Sequence, residues 1–319
     1  MKTPLLLTTK KNFVHRLRRA DFSALLLLLG IFFALTFSSC NYGLPFFLYT
    51  EEGVEDRSRS LIELTGSNVP QIASGGRYSF VVLTDSHFGA VGQTRAEERF
   101  LQKFKELLND PDEGRRPRFI VNLGDTLDGG HASEAVLFNA SSAAWISAAK
   151  EALGASDYKV YSILGNHDLY NNGWEIWKQS VYPCVSCYKF TISAGGARSF
   201  DFLFLDTGNG TLGGPQIEDL EKNLKASSRP KIVFMHYPVF AGGLFYFTLG
   251  DASERARLID DFAGGNVKYV FEGHTHSSHD YSFGSFTESV VGSYLYYKNF
   301  GLVTVDENSS SVNFERFEY

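Results

Sequence analysis

Tyr78-Ser79-Phe80-Val81-Val82-Leu83-Thr84-Asp85-Ser86-His87 reads as a β-strand that stops abruptly in a polar cluster. Similar apolar, β-favouring runs follow at Phe119–Leu123, Tyr158–Leu164, Phe200–Leu205, Lys231–Met235 and Val267–Phe271. Between them the period changes to that of a helix. In Thr94–Leu108 the residues Phe100, Leu101, Phe104, Leu107 and Leu108 share one face, and Ser133–Leu153, Pro215–Leu224 and Ala252–Phe262 behave alike. Strand–helix alternation of this kind predicts an α/β core with helices packed on sheets. After His279 the helices stop, and Ser289–Tyr297, Gly301–Val305 and Val312–Phe317 read as antiparallel strands closing a second sheet.

In open α/β folds, sites gather beyond the carboxyl ends of strands, and the chemistry-bearing residues fall there. Of eight histidines, His15 is in the basic N-terminus, and His131 and His279 lie in polar loops. The rest sit in Asp85-Ser86-His87, Gly165-Asn166-His167-Asp168, Met235-His236 and Gly273-His274-Thr275-His276. A fifth stretch, Gly124-Asp125-Thr126-Leu127-Asp128, has the same setting with carboxylates alone. One histidine so placed is most often a satisfied structural residue, but five such stretches together point to metal. Asp85 and His87 are two apart, so at an extended strand end both side chains start on one side. His274 and His276 share that spacing. Gly124, Gly165 and Gly273 allow sharp turns beside the ligands. Carboxylate, imidazole and amide donors together suit Mn, Fe, Zn or Co rather than an all-oxygen calcium or magnesium cage.

The order D-x-H, G-D-x-x-D, G-N-H-D, a histidine after a strand, and G-H-x-H resembles that of the calcineurin-like metallophosphoesterases, over roughly residues 76–305. The resemblance implies an α/β fold of two packed mixed β-sheets flanked by helices, and two divalent or trivalent transition-metal ions. By position, one ion would take Asp85, His87 and His276, the second would take Asn166, His236 and His274, and Asp125 would bridge them. A metal-activated water would then hydrolyse a phosphomono- or phosphodiester. His167 resembles the family's catalytic histidine, Asp168 would orient its imidazole, and Asp128 would hold a ligand from behind. Purple acid phosphatases carry tyrosine where this chain has Asp128, and protein serine/threonine phosphatases carry Arg-Gly where it has Gly129-Gly130. Both branches are therefore disfavoured. Asp206-Thr207-Gly208-Asn209-Gly210 and Pro215–Leu220 resemble the small-organic-phosphate branch. The alternative is a metal-binding surface lipoprotein with secondary or lost catalysis.

The chain of 319 residues is 44% hydrophobic and 15% aromatic, enough for a full core, and its net charge is −6. Residues 1–39 hold Lys2, Lys10, Lys11, Arg16, Arg18 and Arg19 against Asp21 alone, so the remainder is more acidic than the whole. Such a body is a poor partner for a nucleic-acid polymer or an anionic lipid surface. The basic start runs into the apolar segment Ala24–Phe37, shorter than the ~20 residues of a membrane span. It matches an export signal over residues 1–39. Leu35-Thr36-Phe37-Ser38-Ser39-Cys40 resembles a bacterial lipoprotein cleavage box. Residues 40–72 then read as lipid attachment and tether, and 73–319 as the metallophosphoesterase domain. Lipidated Cys40 would anchor the protein to a membrane, facing the periplasm or cell exterior. Plain secretion and an uncut anchor stay open.

Cys184 and Cys187, outside the cytosol, read as a short disulfide pinning a loop. Two aromatic stretches should border the metals: Tyr170, Trp174 and Trp177, and Phe240, Phe245, Tyr246 and Phe247. Their rings either cover the core or stack on a planar leaving group of a small-molecule ester.

Overall fold

Strand and helix alternate through most of the domain as the periodicity predicts. The computed structural model describes residues 52–72, 75–154 and 157–319. The expected signal segment and the Cys40 box lie outside the described residues. The described chain begins with α1 (Val54–Arg57) and β1 (Ile62–Glu63), followed by β2 (Arg77–Leu83), α2 (Gln93–Leu108), β3 (Pro117–Asn122) and α3 (Ala132–Leu153). Next come β4 (Val160–Ser162), α4 (Gly173–Ser180), β5 (Tyr188–Ile192), β6 (Phe200–Phe204) and α5 (Gly214–Ala226). The chain closes with β7 (Lys231–Phe234), α6 (Ala252–Gly264), β8 (Val267–Glu272), β9 (His279–Ser282), β10 (Thr287–Val290), β11 (Asn299–Asp306) and β12 (Ser311–Glu318). No helix among these residues is long and apolar enough to cross a membrane.

Two mixed sheets result. One has seven strands in the order β1-β5-β6-β7-β8-β10-β9, the other five in the order β12-β11-β2-β3-β4. Neighbours β2, β3 and β4 are parallel, as are β6, β7 and β8. Successive side chains of a strand point to opposite faces, and here both faces are covered. Phe80 and Val82, Phe119 and Val121, Phe202 and Phe204, and Ile232 and Phe234 form one cluster between the sheets. Phe80 stacks on Phe119 with ring centroids 4.7 Å apart. The alternate residues Val81, Leu83 and Ile120 pack under Phe100, Phe104, Trp145 and Trp177 of the helices. On the far side Leu203, Val233 and Met235 meet Ile217, Leu220, Leu258 and Phe262. The arrangement is helix, sheet, sheet, helix, and burial on both faces explains why the strands read as continuous apolar runs.

Three expectations change. The strands expected at Gly301–Val305 and Val312–Phe317 do close the five-stranded sheet, β11 pairing antiparallel with β2 and β12, but β10 joins the other sheet, parallel to β8. The run expected over Ser289–Tyr297 leaves the sheet at Val290, because the backbone then crosses the ligand turns, Ser293 N–H donating to His276 O and Tyr294 N–H to Thr84 O. The segment read as tether is, in its described part, built into the domain. β1 pairs with β5, and Arg57 is buried against Asp206, Nη2 to Oδ1 3.0 Å. The disulfide is not formed either: both cysteines are free, Cys184 exposed and Cys187 buried in the apolar cluster of Leu61, Leu203 and Leu212. β5 and α4, neither anticipated, carry Tyr188, Phe190 and Trp177 into the core.

Candidate metal centre

Asp85 and His87 follow β2, Asp125 follows β3, and Asn166 and His167 follow β4, all from the five-stranded sheet. His236 follows β7, and His274 and His276 follow β8, from the other sheet. The strand ends are laced together: Asp85 N–H donates to Gly124 O, His87 N–H to Asp125 O, and Gly273 N–H to His236 O. Across the sheets, His274 N–H donates to Asp85 Oδ2 at 3.1 Å.

The convergence has a different cause from the one spacing suggested. The chain is not extended there: Asp85, His87, Asp125, His274 and His276 have φ of 51°, 43°, 49°, 66° and 62°. Left-handed backbone at non-glycine residues costs roughly 1–3 kcal/mol each and persists where the surroundings over-determine it. Those surroundings are tight. A Cβ on Gly165 would lie 2.2 Å from Asp125 Oδ1, and one on Gly273 2.0 Å from Thr84 Oγ1. These two glycines serve close approach, as Gly124 does while also needing its φ of 95°.

Donor atoms gather in overlapping groups. Asp85, His87, Asp125 and His276 form one, Asp125, His236 and His274 another, and His87, Asp128 and His167 a third. Asp125 Oδ2 stands 3.9 Å from His87 Nε2 and 3.4 Å from His236 Nε2. His276 Nε2 is 3.3 Å from His87 Nε2 and 3.5 Å from Asp85 Oδ1. Asp85 Oδ1, Asn166 Oδ1 and His236 Nε2 are buried without a hydrogen-bond partner, and leaving such an atom unmatched costs about 1–3 kcal/mol. Their other atoms are committed. Asp85 Oδ2 accepts from Thr84 Oγ1, Asn166 Nδ2 donates to Tyr170 Oη, and His236 Nδ1 faces Leu123 O at 2.8 Å. Thr207 Oγ1 accepts from the amides of His236 and Tyr237. Thr84 had no sequence signal beyond adjacency to a motif, and Thr207 stood in the Asp206–Gly210 stretch with no role of its own.

Electrostatics follow from crowding. Burial works to raise the Asp125 carboxyl, but His236, His167 and His87 outweigh it and hold it well below the usual range. His236 is driven down by burial yet raised to about 9 by Asp125. His274 is pushed down to about 3 by burial and the neighbouring His236, so its ring is neutral and able to ligate.

His167 Nδ1 lies 2.7 Å from the Asp128 carbonyl, and its amide donates to Asp125 Oδ1 at 2.9 Å. Asp128 Oδ1 is 3.4 Å from His87 Nδ1, behind that ligand as expected. Asp168 does not orient His167. Its oxygens accept from Leu127 N at 2.8 Å and Gly165 N at 2.9 Å, clipping two ligand turns together. Burial and nearby Asp125 push its carboxyl up to about 7.

The calcineurin-like phosphoesterase family model matches residues 78–278. No curated protein sequence matches the chain. Among solved structures, a dimetal phosphatase from Danio rerio aligns at 13% identity over 74% of this chain and 98% of that one, TM-score 0.50. GAP50, the anchor in the inner membrane complex of Plasmodium, aligns at 16% identity over 76% of this chain and 84% of that one, TM-score 0.54. At such identities the likeness speaks for the fold.

Proposed function

The chain belongs to the calcineurin-like phosphoesterase family, and from that premise we propose a two-metal hydrolase of small phosphomono- or phosphodiesters. Hydrolysis of phosphate esters comes with the family; the two-metal mechanism rests on the grouping of donor atoms. Asp85, His87 and His276 would hold one ion, Asn166, His236 and His274 the other, and Asp125 both. One observation carries this reading: Asp125 Oδ2 faces His87 of one group and His236 of the other. The buried, unmatched donor atoms of Asp85, Asn166 and His236 support it. Their mix of oxygen and imidazole nitrogen suits Mn, Fe or Zn.

When bound, such a pair of ions supplies Lewis acidity toward the phosphoryl oxygens and acidifies water. The protein's own groups do the rest. With Nδ1–H donating to the Asp128 carbonyl, His167 has Nε2 left toward the leaving oxygen, to which its doubly protonated, imidazolium form would give the Nε2 proton. The hydrogen bond from its backbone N–H to Asp125 Oδ1 fixes the ring's distance from the shared ligand. Asp128 steadies His87 and His167 together, one through its carboxylate and one through its carbonyl. Asp168 contributes by holding the Asp125 and Gly165 turns in register.

For the N-terminus we propose export and lipidation at Cys40, supported by the basic start, the apolar segment and the box before Cys40. Mass spectrometry should find a diacylated N-terminal cysteine, which Cys40→Ala abolishes; an unmodified terminus downstream of Cys40 would instead mean plain secretion. The enzymatic reading is tested by loading the protein with metal and assaying phosphomonoesters, phosphodiesters and nucleotides. Turnover that a chelator abolishes and metal restores is expected. Two bound ions with no turnover of any ester would contradict it.

A further inference from the structure

The aromatic stretches singled out in the sequence divide once their surroundings are known. Trp174 and Trp177 are buried in the helix-side core. Phe245 packs on Phe240 with centroids 5.8 Å apart, and Tyr246 projects outward at 92% exposure. Tyr170 and Phe247 do reach the ligand turns, their rings 4.6 Å from His167 and 6.2 Å from His274. Tyr237 lies against His274 at 3.8 Å, and another ring given no role by the sequence covers the other group. Tyr296 stacks on His276 at 5.0 Å and 26°, and lies 5.4 Å from His87.

The backbone under Tyr296 is held by the ligand turns themselves. Ser293 N–H donates to His276 O at 2.7 Å, and Ser293 Oγ donates to Asp85 O at 2.9 Å while accepting from Tyr296 N at 3.1 Å. A ring serving the core would be buried, yet Tyr296 is 52% exposed. Its place is fixed relative to the ligands, and half its surface is open beside them. Among the described residues, no Arg or Lys hydrogen-bonds or ion-pairs with the seven ligands or His167. What adjoins the phosphoryl group on these sides meets the rings of Tyr296, Tyr170 and Phe247.

Resting on the phosphoesterase reading above, we infer that Tyr296 is a specificity-determining residue that stacks on a neutral, planar group of the ester, with Phe247 on the side of His274. Aromatic stacking of a planar group is worth about tenfold or more in kcat/KM. The probes are benzyl phosphate and cyclohexylmethyl phosphate, which share a primary alkoxide leaving group and differ in planarity. The wild type favours benzyl phosphate about tenfold. Tyr296→Leu brings the ratio close to one, through KM more than kcat, with bound metal unchanged, and Tyr296→Phe keeps the preference. Phe247→Leu lowers the ratio in part and is read in parallel should Tyr296→Leu fold poorly. No preference in the wild type, or a ratio untouched in both Leu variants, overturns the inference. So does a Tyr296→Leu protein that loses metal and slows on both esters equally, which would make the ring a mere support for His276. Failure of the wild type on every phosphate ester would instead count against the hydrolase itself.

Discussion

Asp125 and Tyr296 border the same centre and are built in opposite ways. Asp125 is buried at a strand end, in left-handed backbone, hemmed in by a glycine that could not bear a methyl group. Tyr296 stands on a crossing loop, half exposed, and is placed through Ser293, whose Oγ accepts from Tyr296 N–H and donates to Asp85 O. The first position tolerates almost nothing else, because sterics and charge both converge on it. The second is half open to solvent and meets Ser293 through its backbone N–H, so its side chain can change without breaking that contact. On the proposed reading, chemistry would reside in the rigid turns and selectivity in the loops beside them.

The sharpest break in that contrast should come from Asp125→Asn. It removes the one charge shared by both groups, so two cations would repel uncompensated. Activity should vanish and metal content fall, read by assay and elemental analysis; full activity with undiminished metal would dissolve the distinction between turn and loop. His167→Ala comes next. It should keep its metal and lose roughly 10²–10⁴-fold in kcat, whereas loss of metal would make His167 a ligand.

Asp168→Asn should act on stability more than on rate. An amide cannot replace a carboxylate that accepts from Leu127 N and Gly165 N on separate oxygens, because its NH2 would face an N–H donor. A loss of about 1–3 kcal/mol should appear in the urea midpoint, with kcat little changed. A collapsed kcat at an unchanged midpoint would make Asp168 part of the proton path after all. Smallest of all is Tyr246→Ala, at a residue 92% exposed. Rate, metal content and midpoint should all stay near the wild type, and a large fall in kcat/KM would give that outer loop a part in binding.

The sequence made the turns legible because alternating burial leaves long apolar runs, and each run ends where polar ligands must begin. Strands such as Phe200–Phe204 and helices such as Gln93–Leu108 followed from that alone. The grouping of ligands about Asp125 needed family resemblance, since no spacing within the chain joins β3 to β7. Other features depended on contacts distant in sequence. Residues 291–297 look strand-like, yet the amides of Ser293 and Tyr294 are taken by His276 and Thr84. Ile62–Glu63 looked like tether, yet it finds an edge at Tyr188–Lys189. Asp168 follows His167 directly, and adjacency suggested a partnership that the Gly165 and Leu127 amides pre-empt.

On the proposed reading, Asp125 joins two ions held by ligands from both sheets. An anomalous-scattering map of crystals loaded with manganese tests it most directly. Two peaks should appear, one among Asp85, His87 and His276, the other among Asn166, His236 and His274, with the Asp125 carboxylate between them. A single peak, or two peaks that leave Asp125 bound to neither ion, would contradict the account.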